Sequence, residues 1–171
     1  MTPVLMNEGI GIDATLTDTV TVELRNAVAP YAVVFTQKAI LKTNGLLDIN
    51  TGSLNGNYYL VLRHRNTLPV WSAAPIAISA SGAYYDFSSG AGQSYGNNAY
   101  DLGAGIWGVH SGELVSDENI DLLDLVLLEG DISNFLFGYV ASDLNGDGNV
   151  DLLDYSIIEP NVTNFIFSNH P

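Results

Sequence analysis

Residues 143–154 read DLNGDGNVDLLD. Oxygen-bearing side chains stand at the first, third, fifth, ninth and twelfth places of this stretch (Asp143, Asn145, Asp147, Asp151, Asp154), with Asn149 seventh and Gly148 sixth. That spacing suits calcium, which takes six to eight hard oxygens at about 2.3–2.6 Å; a tight loop supplies them from alternating side chains and one backbone carbonyl. In this reading Asp143, Asn145 and Asp147 give side-chain oxygens and Asn149 its carbonyl. Asp151 makes a direct or water-borne contact, and Asp154 closes the site. Gly148 falls where the chain must turn with positive φ, and Val150, at the eighth place, points inward. Magnesium is disfavoured because it demands a small octahedral shell and keeps several waters.

Thirty residues earlier, at 113–124, stands ELVSDENIDLLD. Here Asp117, Asn119, Asp121 and Asp124 keep the fifth, seventh, ninth and twelfth places, but Glu113 replaces Asp at the first, Val115 offers no ligand at the third, and Glu118 replaces glycine at the sixth. Two readings stand: an ion held by these residues with water and a shifted Glu113, or a structural partner without an ion. The sequences after the loops also repeat, DLLDLVLLEGDISNF at 121–135 and DLLDYSIIEPNVTNF at 151–165, so one unit is written twice. Each predicts a short helix. Leu122, Leu123, Val126 and Leu127 share one side up to Gly130, and Leu152, Leu153, Ile157 and Ile158 share one side up to a stop at Glu159-Pro160.

The elements that position these loops follow from composition. Residues 110–171 carry twelve acids and no Lys or Arg, whereas 1–109 carry seven acids and all five bases, so the net charge of −14 belongs mostly to the last third. Phosphate-bearing partners would be repelled there, which argues against nucleic acid. A solvated acidic tail would not be so rich in Leu, Ile, Val and Phe. With no cysteine there is no disulfide framework and no thiolate metal site. No apolar run reaches the length of a membrane span, and MTPVLMNEG lacks the basic and apolar parts of a secretory signal. Upstream, TVTVELRNA (19–27), YAVVFTQKAIL (31–41), LLDI (46–49), YYLVLRHRN (58–66), APIAISA (74–80) and AYYDF (83–87) are separated by Gly, Asn, Ser and Pro. They predict an antiparallel β-sandwich of immunoglobulin or prealbumin type. His64 shares a strand face with Tyr58, Leu60 and Leu62 and is expected to be a hydrogen-bonded core histidine.

A loop plus one helix, without the entering helix that SGEL and GYVAS are too short to form, resembles a dockerin, the duplicated calcium-loop-and-helix unit of secreted bacterial proteins. The resemblance covers residues 110–171 and implies calcium-dependent folding and a docking partner of cohesin type. MTPVLMNEG, TVELRNA, YYLVLRHRN, WSAAP, AYYDFSSGAGQSYGNN and NFIFSNHP, in this order, resemble a carboxy-terminal module of secreted or cell-surface Bacteroidetes proteins, which implies export and a structural or attachment role. That family places a further strand before MTPVL, so an open sheet edge able to accept a strand from another chain is expected here.

Two motifs are refused. GQSYG (92–96) lacks the strand and helix of a nucleophile elbow, and GAGIWG (103–108) lacks the strand and helix of a dinucleotide fold. His64, His110 and His170 are isolated, so no zinc site is expected. Tyr58, Tyr59, Trp71, Tyr84, Tyr85, Tyr95, Tyr100 and Trp107 could hold a carbohydrate, but such rings also fill cores. The expectation is a non-enzymatic, extracellular protein: a β-sandwich at 1–109, then a calcium-binding duplicate at 110–171 (units 113–135 and 143–165). It carries one or two calcium ions and associates with other protein chains, its own copies or a docking partner.

Overall fold

The computed structural model describes residues 1–171. A short helix α1 (Val4–Asn7) precedes strands β1 (Leu16–Asn26), β2 (Val33–Lys42), β3 (Gly56–His64), β4 (Thr67–Trp71) and β5 (Ile76–Ile78). These five form one antiparallel sheet in the order β2-β1-β3-β4, with β5 also alongside β3. A separate hairpin joins β6 (Tyr100–Gly103) to β7 (Ile106–Gly108), and helices α2 (Leu122–Ser133) and α3 (Leu152–Thr163) follow. The protein is thus β-rich with antiparallel sheets. No helix is long and apolar enough to cross a membrane.

Alternation builds the sheet. In β1, Val20, Val22 and Leu24 are buried on one face while Thr19, Thr21, Glu23 and Arg25 lie on the other. Leu24 and Val22 pair with Leu60 and Leu62 of β3. On the opposite face Tyr59, Val61 and Trp71 form a cluster against Tyr31 and Tyr95, with Arg25 over the Trp71 ring. The rings meet edge to face rather than as a flat strip, and only Tyr84 and Tyr100 among the tyrosines are strongly exposed.

A full second sheet is not present: the other sheet is the two-stranded hairpin alone. LLDI and AYYDF, read above as strands, are irregular. The reasons are local. Asp48 is drawn to Lys42 and Asn50 N–H to Gln37, folding 44–50 back on β2, while Asp86 accepts from the Ser88 N–H and hydroxyl and starts a 3-10 turn. Ser94 of GQSYG lies between two such turns. GAGIWG is the β6–β7 hairpin with its turn at Ala104–Gly105.

The two ends of the sheet differ. The outer side of β4 is bonded: Leu68 N–H to His110 C=O at 3.0 Å, Gly112 N–H to Asn66 C=O at 2.8 Å, and Ala73 N–H to Gln93 C=O at 2.9 Å. β2, at the other end, pairs only with β1.

The duplicate packs on itself and on β4. Ile120 and Val150, at the eighth places of the two loops, meet Leu128, Ile158 and Leu68 in one cluster, each 4 % exposed or less. Burying each such side chain contributes about 2 kcal/mol. Bonds between the units come in pairs related by the offset of thirty. Ile120 N–H reaches Ile166 C=O and Val150 N–H reaches Leu136 C=O; Ser168 N–H reaches Glu118 C=O and Gly138 N–H reaches Gly148 C=O. Each loop is therefore zipped to the segment following the other unit's helix, a pseudo-twofold exchange.

The helices run further than expected, through Gly130 to Ser133 and through Pro160 to Thr163. Pro160 forgoes one helical hydrogen bond, but buried Ile158 and Asn161 on either side hold the helix in place. Nor do the leucines after the loops face inward. Leu122, Leu123, Val126, Leu152 and Leu153 are 59–73 % exposed; of the residues read onto the shared side Ile158 alone is fully buried, and Leu128, outside that set, joins it in the core.

Candidate metal centre

Both loops follow one backbone path. Asp143 and Glu113, at the first places, reach forward: Asp143 accepts from the N–H groups of Gly146, Asp147 and Gly148 at 2.8–3.2 Å, and Glu113 from Ser116 and Asp117 at 2.6 and 3.3 Å. Asp154 and Asp124, at the twelfth places, reach back. Each accepts from two N–H groups at the loop start, Leu144 and Asn145 or Leu114 and Val115, and from the ninth residue, Asp151 or Asp121, at 2.9 Å. Asp151 and Asp121 cap the helices by accepting from Leu153 and Leu123 at 2.7 Å. The DLLD that ends each loop is thus also a capping box, a role the spacing signalled and the ligand reading passed over. Asp147 and Asp117 accept from Asn149 and Asn119 N–H, and Asn145 from Asp147 N–H.

Asp143, Asp154 and Asp124 are 0 % exposed and Glu113 5 %. Asp147, Asn149, Asp117 and Asn119 lie at the exposed mouths of the loops. Burial pushes the Asp143 carboxyl up, against hydrogen bonds from Gly146 and Gly148 and the charge of Arg65. Burial likewise pushes Glu113 up, with Asp124 and Asp117 adding repulsion and the Ser116 and Asp117 N–H groups opposing. Asp147, bonded to Asn149 and Asn145, is held below the usual carboxylate range. No three His, Asp or Glu side chains are drawn into a closed cage; the carboxylates are held by backbone N–H groups. One acceptor has nothing: Glu113 Oε2 is buried without a hydrogen-bond partner. An orphaned buried carboxylate oxygen beside two other acids fits a cation, and a donor set of oxygens alone fits a hard one.

The loops differ in what covers them. Gly146 (φ 75°) and Gly148 (φ 86°) adopt the left-handed region, and α1 presses on both. A Cβ on Gly146 would stand 2.6 Å from Val4 Cγ2, and one on Gly148 2.5 Å from Glu8 Oε1. In the first loop Ser116 (φ 62°) and Glu118 (φ 69°) hold the same conformation against their preference. Glu118 instead reaches the sheet, with Oε1 3.2 Å from Arg63 and Oε2 3.5 Å from His170. The residue that breaks the glycine rule is the one tying this loop to β3. Neither contact, with α1 or with Arg63, had a signal in local spacing.

Asp18, in β1, anchors the duplicate from below. It accepts from His64 Nε2 at 3.0 Å, Arg65 Nε at 3.1 Å, Thr19 N–H at 2.6 Å and the Tyr139 hydroxyl. Arg65 also donates to Val140 C=O and stacks on Tyr139. His64 is thus hydrogen-bonded as expected, but half-buried rather than part of the core. Burial alone would raise the Asp18 carboxyl, but His64 and Tyr139 outweigh it and hold it far below its ordinary value; the same bond, after burial, raises Tyr139 to about 12.

No protein-family model, curated protein or solved structure matches this chain.

Proposed function

We propose that this protein is a non-catalytic extracellular attachment module whose dockerin-like duplicate is stabilised by calcium. The observation carrying the reading is the repeated carboxylate cradle, first and twelfth residues buried in both loops, with the unpartnered Glu113 oxygen in the first. Asp143, Asn145, Asp147, Asn149, Asp151 and Asp154 would hold one ion. Glu113, Asp117, Asn119, Asp121 and Asp124 would hold a second, with water in place of a ligand at Val115. The ion supplies the positive charge that a segment with no Lys or Arg lacks.

The chain's own residues set the loop path, bury the first and twelfth carboxylates and cap the helices. Because an ion bound to the folded loops and not to the unfolded chain stabilises by RT ln(1 + [Ca]/Kd), a hundredfold excess over Kd adds about 2.7 kcal/mol. Millimolar extracellular calcium and the absence of cysteine fit this arrangement. Calorimetric titration of calcium into chelator-stripped protein tests it: two sites are expected, and no heat at all would overturn it.

Attachment to other chains has two supports. β2 offers an edge that residues 44–50 leave uncovered before Gln37, carrying exposed Val33 and Val34, suited to pairing with a strand of a second copy. The exposed leucines of α2 and α3, rimmed by Asp121, Glu129, Asp151 and Glu159, favour a second reading, docking to a protein with an apolar patch and a basic rim.

A further inference from the structure

On the sheet face opposite Val20, Val22 and Leu24, the register sets Lys38, Thr21 and Arg63 side by side across β2, β1 and β3. Beside Tyr139, in the segment that enters the second loop, this row borders an open cavity of about 270 Å³, lined by Thr19, Thr21, Lys38, Arg63, His64, Arg65 and Tyr139. No acidic side chain and no aliphatic one lines it. Three of the five Lys and Arg residues of the chain converge here, in a protein with nineteen acids.

The carboxylates that balance these cations stand outside the lining. Asp18 holds His64 and Arg65, and Glu23 and Glu118 hold Arg63 at 3.3 and 3.2 Å, which fixes both guanidiniums while leaving further N–H donors. Lys38 has no ion-pair partner. The lining therefore offers two positioned guanidiniums, one free ammonium and three hydroxyls. Such a set recognises an oxyanion carried on a hydroxylated body. An apolar ligand finds no wall to bury against, and the volume, just under the roughly 300 Å³ at which drug-sized sites begin, suits about one sugar ring while the open side leaves room for a longer chain.

We propose that this cavity binds a sugar acid: the carboxylate sits between Lys38 and Arg63, and the ring hydroxyls meet Thr19, Thr21 and Tyr139. The acid could arrive free or as one residue of an acidic glycan, and both present the same chemistry. Its lining includes none of the loop residues, although Glu118 of the first loop holds Arg63 from outside.

The test is titration of the calcium-loaded full chain, followed by backbone amide NMR, with glucuronate, with a short oligogalacturonide and with glucose. Glucuronate is expected to shift amides at 19–21, 38, 63–65 and 139, and glucose not to. Saturation by glucuronate identifies a free acid, and saturation by the oligogalacturonide alone identifies a glycan; either supports the site. Lys38→Met, at an exposed and unpaired position, should weaken binding about tenfold with an unchanged Tm, and Thr21→Val should weaken the sugar acid more than it weakens acetate. Silence with both acids to about 10 mM, equal shifts with glucose, or full affinity in Lys38→Met would overturn the proposal.

Discussion

Replacing Gly146 with alanine probes the join between α1 and the second loop. The backbone there has φ 75°, a conformation costing an L-residue about 1–2 kcal/mol. The new methyl would also stand 2.6 Å from Val4 Cγ2, and Val4 is only 7 % exposed. A branched, buried side chain cannot swing aside as the end of a glutamate can, so α1 must shift or undock. Undocking forfeits about 1.5–3 kcal/mol of Val4 burial. Gly146→Ala should therefore cost about 3 kcal/mol, lowering Tm by about 6–12 °C in a chain of this length. Calorimetry at fixed calcium reads the shift, and urea unfolding reads the free energy. Val4→Ala combined with Gly146→Ala should cost less than the sum of the two by about 1 kcal/mol or more, because the shortened side chain makes room. The equivalent first-loop position gives the opposite sign. Ser116→Gly relieves left-handed strain at φ 62°, and after the added freedom of the unfolded chain it should be neutral to about 1 kcal/mol stabilising. A harmless Gly146→Ala, or equal losses at both positions, would refute the account of why one loop keeps its glycines.

Three further outcomes follow from the contacts. Asp18, whose carboxyl is held below its ordinary 3.8, contributes stability that is complete above that value and lost as pH falls below it. Urea midpoints from pH 5 to pH 2 should therefore fall more steeply in the wild type than in Asp18→Asn. Glu118→Gln breaks the Arg63 and His170 contacts and should cost no more than about 1 kcal/mol, shrinking as salt rises, since both partners are partly exposed. If β2 pairs between copies, light scattering will show association that grows with concentration and is abolished by Val34→Lys; a strict monomer at high concentration would remove that mode of attachment.

The loops were legible because the spacing of their acids and their duplication are local properties: Asp143 to Asp154, Glu113 to Asp124 and the inward Val150 could be placed without a fold. Strands β1, β2, β3 and the short β5 were legible from alternation and turn residues; β4 was not, because Thr67–Trp71 is buried throughout and shows no alternation, and neither was the β6–β7 hairpin. Strand order was not, since pairing depends on contacts such as Val22 with both Gln37 and Leu62 that no window contains. AYYDF misled because aromatic strand propensity lost to the Asp86 cap. The helix ends misled because Pro160 and Gly130 are breakers by propensity, whereas tertiary packing of Ile158, Asn161 and Leu128 continues the helices past them. The outward leucines carry helical spacing without being core, so periodicity mixed exposed residues such as Leu152 with the buried Ile158 and missed Leu128. The departures of the first loop from its pattern looked like decay; Glu118 bonded to Arg63 gives that change a role in holding the duplicate to the sheet.

The central claim is that calcium and the folded loops are thermodynamically linked, and it is tested most directly by melting one sample in excess calcium and in excess chelator. With calcium at a hundredfold excess over Kd, Tm should rise by about 5–11 °C for one site. The second loop's share of the rise should be lost in Asp147→Ala, whose side chain is at the exposed mouth of that loop, leaving the share of the first loop. Identical melting curves with calcium and with chelator would contradict the account.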